Sequence, residues 1–255
     1  MLNNTNSLIR IYSRMVSCSF VAMTCAATFL FSSLESCATG MCFILFYLSL
    51  LRSYQDKRAP GIAFYSFACL GIASLFFVQI LYFVPFLWIL MASNMMALTH
   101  RMFWATVLGL VMPYWFAVGY YVVTNQFDAF IDHFAELAQF EPLLKYEALD
   151  IHRIATFGLV VLLAVIGIIH YMRNSYQDKI RTRMIFEMFI TVDILSFVFI
   201  ILQPQHFDNL LPIIIVNTSC LFAHYVALTR TWLTNVTFIV MCLATLGLTI
   251  FNLMP

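Results

Sequence analysis

Seven stretches of this chain run for sixteen residues or more without an Asp, Glu, Lys or Arg: Met15–Leu34, Ser36–Leu51, Ala59–Thr99, Met102–Phe127, Ile154–Met172, Asn209–Thr229 and Thr231–Pro255. A helix crosses the hydrocarbon of a bilayer in about 20 apolar residues. Ala59–Thr99 is too long for one crossing and suits two, hinged near Gln79–Pro85. Met184–Leu202 joins the set as an apolar run broken only by Glu187 and Asp193. The pattern predicts an all-α polytopic membrane protein with about nine transmembrane helices. Composition agrees: 63% of the 255 residues are hydrophobic and 10% charged, where a soluble domain carries about a quarter charged. The net charge of +1 gives no sign of nucleic-acid binding.

Orientation follows from Lys and Arg. In the nine-helix arrangement Arg10, Arg14, Arg52, Lys57, Arg58, Arg101, Arg173, Lys179, Arg181, Arg183 and Arg230 fall on one side. Lys145 and Arg153 fall on the other. The amino terminus is thus expected in the cytoplasm and the carboxyl terminus outside. Arg10 and Arg14 before an apolar run suggest a signal peptide, but the run is long and lacks an A-x-A site. It reads as a retained first span.

The chain also repeats itself. Ser53-Tyr54-Gln55-Asp56-Lys57 recurs as Ser175-Tyr176-Gln177-Asp178-Lys179, and Ala97-Leu98-Thr99 as Ala227-Leu228-Thr229. Pro85 and Pro212 take similar places between them. These matches predict a tandem four-helix repeat plus one N-terminal helix, with both halves in the same direction. The expected domains are residues 1–35 (N-terminal helix), 36–124 (first four-helix unit), 125–152 (outer helix and loop) and 153–255 (second unit).

From Phe127 to Glu141, Phe127, Phe130, Ile131, Phe134, Leu137 and Ala138 follow helical spacing, while Asp128, Asp132, His133, Glu136 and Glu141 fill the other face. An amphipathic helix on the outer surface is expected, ending near Pro142. Interfacial lipid-binding helices are usually basic on the polar face. This acidic one points to a protein partner or an internal docking surface. His133 and Glu136 lie one turn apart, but an acidic solvated face explains the group better than a metal does, and no metal is expected.

Gly71-Ile72-Ala73-Ser74-Leu75-Phe76-Phe77, Leu87-Trp88-Ile89, Leu110-Val111-Met112-Pro113-Tyr114, Asp178-Lys179-Ile180-Arg181-Thr182-Arg183 and His224-Tyr225 occur in that order. Together they resemble an uncharacterised family of small multi-span inner-membrane proteins of Bacteroidota. The resemblance covers most of the chain from about Arg52 onward. It implies a bacterial inner-membrane location and no activity.

Asp193 is the residue with the sharpest physical demand. It sits about halfway along an apolar helix, where a charge costs at least a few kcal/mol. It must be protonated, paired or facing a wet interior, and its side chain must point at other helices. Its counterpart in the first repeat lies near Gly71. Asn94 and His224, each three residues before the repeated Ala-Leu-Thr, suit interhelical hydrogen bonds or a polar cavity. His170 reads as an interfacial histidine. Glu35, in the first outer loop, is the one residue suggesting a polyprenyl-phosphate-linked glycosyltransferase-like enzyme. Seven cysteines show no metal or disulfide spacing, and no phosphate loop, nucleophile elbow or other cofactor motif occurs. No cofactor is expected. Three functions follow: an accessory or partner-binding membrane subunit, a small-solute or proton-coupled transporter, and the enzyme. The subunit ranks first. An open polar cavity at Asp193 favours transport, and an acidic outer cavity around Glu35 favours the enzyme. A packed interior favours the subunit.

The topology is testable with single cysteines placed at Lys57, Lys145 and Lys179. In intact cells a membrane-impermeant thiol reagent should label only position 145. Labelling at 57 or 179 would refute the nine-span arrangement.

Overall fold

The computed structural model describes residues 8–11, 13–139, 149–229 and 231–253. Glu141, Pro142, Lys145 and Arg230 lie outside the described residues. Among the described residues there is no strand. The helices are α1 (Met15–Ala26), α2 (Leu34–Leu50), α3 (Pro60–Phe76), α4 (Val84–Ser93), α5 (His100–Val123), α6 (Phe127–Ala138), α7 (Ile151–Asn174), α8 (Ile180–Leu202), α9 (Phe207–Leu228) and α10 (Trp232–Leu253). Six helical segments are long and apolar enough to cross a membrane: Leu34–Ser53, His100–Val123, Ile151–Gln177, Ile180–Leu202, Pro204–Leu228 and Trp232–Asn252. Three shorter apolar ones are Met15–Ala26, Pro60–Phe76 and Val78–Ser93. The chain is an all-α membrane protein.

Two apolar stretches depart from the regular helix expected of them. Met15–Leu34 divides into α1, only twelve residues long, and a 3-10 turn at Thr28–Ser32. Ala59–Thr99 breaks at Phe77, whose backbone is extended, and continues as a 3-10 turn over Val78–Phe83 before the ten-residue α4. Pro85, which has no N–H to donate, sits in the first turn of α4, where none is needed. The break therefore precedes the proline. At α5 the start is fixed by Thr99, whose hydroxyl accepts from the Met102 N–H at 3.3 Å.

The chain forms two compact units, Met1–Cys37 with Leu144–Pro255 and Ala38–Leu143; they are called here the split and the continuous unit. In the split unit α9 is central, packed by α7, α8 and α1. Every residue from Ile213 to His224 is buried. Of the apolar window around α9, 78% is inside, against 17% for α10. A helix buried all round belongs in a core. α10 leaves Leu233, Ile239, Val240, Leu243 and Leu246 exposed to the hydrocarbon. The contacts mark two ends of this unit. Arg10, Gln177, Asp178 and His224 meet at one, and Arg153 with Asp208, and Ser36 with Asn209, at the other.

In the continuous unit the principal packed pair is α3 with α5. Gly109 lets the two backbones meet: a Cβ there would press on the Phe64 carbonyl and lie 3.2 Å from the Ala68 nitrogen. Gly71 works from the other side, where a Cβ would lie 2.6 Å from the Leu110 oxygen. Small residues at helix contacts permit this approach in membranes. From α2, Phe46 reaches the Phe67 ring at 5.7 Å. The amphipathic helix α6 packs on α5 and on the 3-10 turn.

Gly109→Val should therefore force α3 and α5 apart and destabilise the protein by about 1–3 kcal/mol. Gly119→Ala, on the same helix with nothing within 4 Å, should change stability by under about 0.5 kcal/mol. Thermal unfolding of both variants in one detergent compares them. Equal loss in both would remove the close-approach account.

Candidate functional site: the polar seam of α9

A buried helix normally carries apolar side chains on every face, yet α9 carries Asn217, Thr218, Ser219 and His224 among its buried residues. Asn217 and His224 are two turns apart, hence on one face. Ser219 turns its hydroxyl back to the Val216 carbonyl at 2.7 Å. The others face neighbouring helices.

At mid-helix the partner is Asp193 of α8, with 0% exposure. Its Oδ2 accepts from the Thr218 hydroxyl at 3.0 Å. The Asn217 amide stands against the same carboxyl. Even so, Asp193 Oδ1 and both polar atoms of Asn217 complete no hydrogen bond. Buried polar groups are paired in the great majority of cases, and each exception calls for an account. The Cys220 thiol adjoins this group.

Toward the end of α9 lies a second cluster. The Asp178 side chain is fully buried and its two oxygens are divided: Oδ1 accepts from Arg10 Nε at 2.7 Å, and Oδ2 faces His224 Nε2 at 3.0 Å. Arg10 also donates to Gln177 Oε1 at 3.0 Å. A carboxylate held by a guanidinium accepts only, so His224 Nε2 carries the proton and Nδ1 keeps its lone pair. That Nδ1 is buried without a hydrogen bond, as is Nδ1 of His170. The two rings stand 5.6 Å apart. Phe186 at 4.9 Å and Tyr171 at 5.8 Å complete the aromatic wall around His224. Tyr171 is fixed in turn by donating to the Arg183 carbonyl at 3.0 Å. Chemically this is a charge-balanced pair with an oriented imidazole, able to exchange a proton.

The two clusters unite residues that the sequence treated separately. Arg10 and Asp178 entered as markers of orientation and repetition, and His170 as an interfacial residue. His170 instead packs against His224 and Tyr225, at 5.1 Å from the Tyr225 ring. The available signal was the placement of His170 and Asp178 on either side of one short turn. The 3-10 turn Ser175–Gln177 brings the chain back beneath its own helix.

The remaining candidates lie elsewhere. Asn94 belongs to the continuous unit, at the end of α4, and its Oδ1 accepts from the Ser93 hydroxyl at 2.8 Å. Glu35 is exposed in the first turn of α2. On α6, Asp128, Asp132 and Glu136 are exposed at successive turns. His133 departs from its expected place on that acidic face. It is half-buried, and its Nε2 meets the Ser74 carbonyl at 3.0 Å, because the turn that carries it packs inward on α3. Among the described residues no three His, Cys, Asp or Glu side chains converge as a metal would require.

Asp56, the equivalent of Asp178 in the first pentapeptide, is exposed and caps its own turn through the Arg58 N–H at 2.8 Å. Asp178→Ala leaves a buried imidazole and a guanidinium without their acceptor and should cost about 1–3 kcal/mol. Asp56→Ala should cost less than about 1 kcal/mol. Chemical or thermal unfolding of the two variants measures the contrast, and similar losses would show that Asp178 has no special role. No family model matches this chain, and no curated protein and no solved structure matches it.

Proposed function

We propose that the protein is a multi-pass subunit of a bacterial inner membrane that docks a basic protein partner on its outer face. The nine apolar helical segments, the one-sided distribution of Lys and Arg, and the resemblance to small inner-membrane proteins of Bacteroidota support that placement. They support a cytoplasmic amino terminus and an outer carboxyl terminus.

The carrying observation is the division of labour on α6. Part of its apolar face is taken up by its own unit: Phe134 meets the Tyr114 ring at 5.1 Å, and Phe130 meets Tyr121 at 5.9 Å, while Phe127 and Ile131 stay exposed. Tyr82 donates from the 3-10 turn to the Leu137 carbonyl. The stripe of Asp128, Asp132 and Glu136 on α6 is presented outward, where charges of one sign select partners of the other. The full burial of Asp193 supports the same reading.

A tandem origin of the two halves is supported by more than the pentapeptide. Each half runs helix, 3-10 turn, helix, 3-10 turn, helix, helix. In each, the pentapeptide turn meets the end of the third helix. The Gln55 N–H donates to the Met95 carbonyl at 2.9 Å, and Asp178 holds His224.

A second reading, proton- or ion-coupled transport of a small solute, is favoured by one observation. Asp193 is a buried acid between two apolar helices with one oxygen uncommitted, a pattern that marks ion pathways in membranes.

Photo-cross-linking from position 132 in native membranes should capture one dominant protein. The triple change Asp128→Lys, Asp132→Lys, Glu136→Lys should abolish its copurification while leaving the level of this chain unchanged. Unaltered copurification would overturn the subunit reading.

A further inference from the structure

Three atoms at the centre of the α8–α9 contact are the most demanding feature of the molecule: Asp193 Oδ1 and the Oδ1 and Nδ2 of Asn217. All are buried and complete no hydrogen bond, although both residues are 0% exposed and stand side by side. In a low-dielectric interior such groups carry the full cost of lost hydration. The Asn217 amide adjoins the Asp193 carboxyl, whose Oδ1 completes no hydrogen bond; an ionised carboxylate buried there calls for a positive charge beside it.

The protein supplies no such charge there. Arg181 and Arg183 lie at least ten residues back along α8, about 15 Å at helical rise. His224 is six residues beyond Thr218 on α9, about 9 Å away, and its Nε2 is committed to Asp178. The donor set consists of oxygen: the carboxylate, the Asn217 amide oxygen and the Thr218 hydroxyl, whose proton goes to Asp193 Oδ2 and whose lone pairs stay available. Oxygen ligands select hard cations. One carboxylate balances one charge, and the groups that act on it are Thr218 and Asn217, not a second acid. A divalent ion would therefore leave an excess charge in the apolar interior. The Asn217 oxygen and nitrogen are interchangeable by rotation of the amide, so its oxygen can take the inward position.

We infer that Asp193, Asn217 and Thr218 form a binding site for a small monovalent cation, sodium, between α8 and α9. The inference does not rest on the partner-docking reading. It names the coupling ion that the transport reading would use.

The full chain, purified in detergent at pH 8, is tested by thermal unfolding in sodium, potassium and choline chloride at equal ionic strength. Sodium at about ten times its Kd should raise the Tm by about 3 °C over choline, with potassium giving less. Asp193→Asn, which keeps the shape and loses the charge, should unfold at the same temperature in all three salts. Asn217→Ser should retain a sodium effect only at higher concentration. If Asp193→Asn does not fold, retention of radioactive sodium by the native chain and its loss in Asn217→Ser decide the matter. Identical Tm values for the native chain in the three salts, or a sodium effect undiminished in Asp193→Asn or Asn217→Ser, would overturn the site.

Discussion

A helix in a bilayer satisfies its own backbone, so its side chains alone decide whether it stands at the centre or against lipid. In the split unit that decision concerns α9. Its buried surface lies against three helices, and Gly167 of α7 makes the tightest of these approaches. A Cβ at that position would lie 2.9 Å from the Leu221 carbonyl carbon. α1, α7 and α8 are arranged by what α9 offers them: a smooth apolar wall for α7, Thr218 for α8, and His224 for the turn that follows α7.

The helices themselves were legible because lipid imposes a composition. Seven charge-free stretches and one broken by two acids mark the apolar helices, of which six are long enough to cross a membrane. What composition does not mark is where a segment changes its hydrogen-bonding pattern. Phe77 and Ala27 interrupt their helices without a glycine or proline at the break. Both are set by packing, which a linear reading does not hold. Asp193 was legible for the same reason as the helices, since an acid among apolar residues violates the solvent's rule. Asp178 was hidden because acids at helix ends are ordinary. Only the fold shows that this one is buried while Asp56, in an identical pentapeptide, faces water. His133 misled because a period of 3.6 assigns a side to a residue without saying what stands on that side.

Gly71 and Asp193 are separated by the same interval as the two pentapeptides. Where the residue is glycine, the Leu110 backbone closes upon it and α3 pairs with α5. Where it is aspartate, the carboxyl accepts from Thr218 of the next helix, and α8 packs on α9. A turn–helix contact occurs at both pentapeptides. In the first half it is supported by left-handed backbone at Gln55 and Met96, with φ of 57° and 49°. Non-glycine residues adopt that conformation only where surroundings enforce it.

Ser74 stands where three elements join. Its hydroxyl donates to the Gly71 carbonyl at 2.8 Å and accepts from Tyr114 of α5 at 2.6 Å, while its own carbonyl meets His133 of α6. One residue thus belongs at once to the α3–α5 seam and to the footing of the outer helix. The footing of α6, and with it the acidic stripe, is thus tied to the α3–α5 seam through this serine.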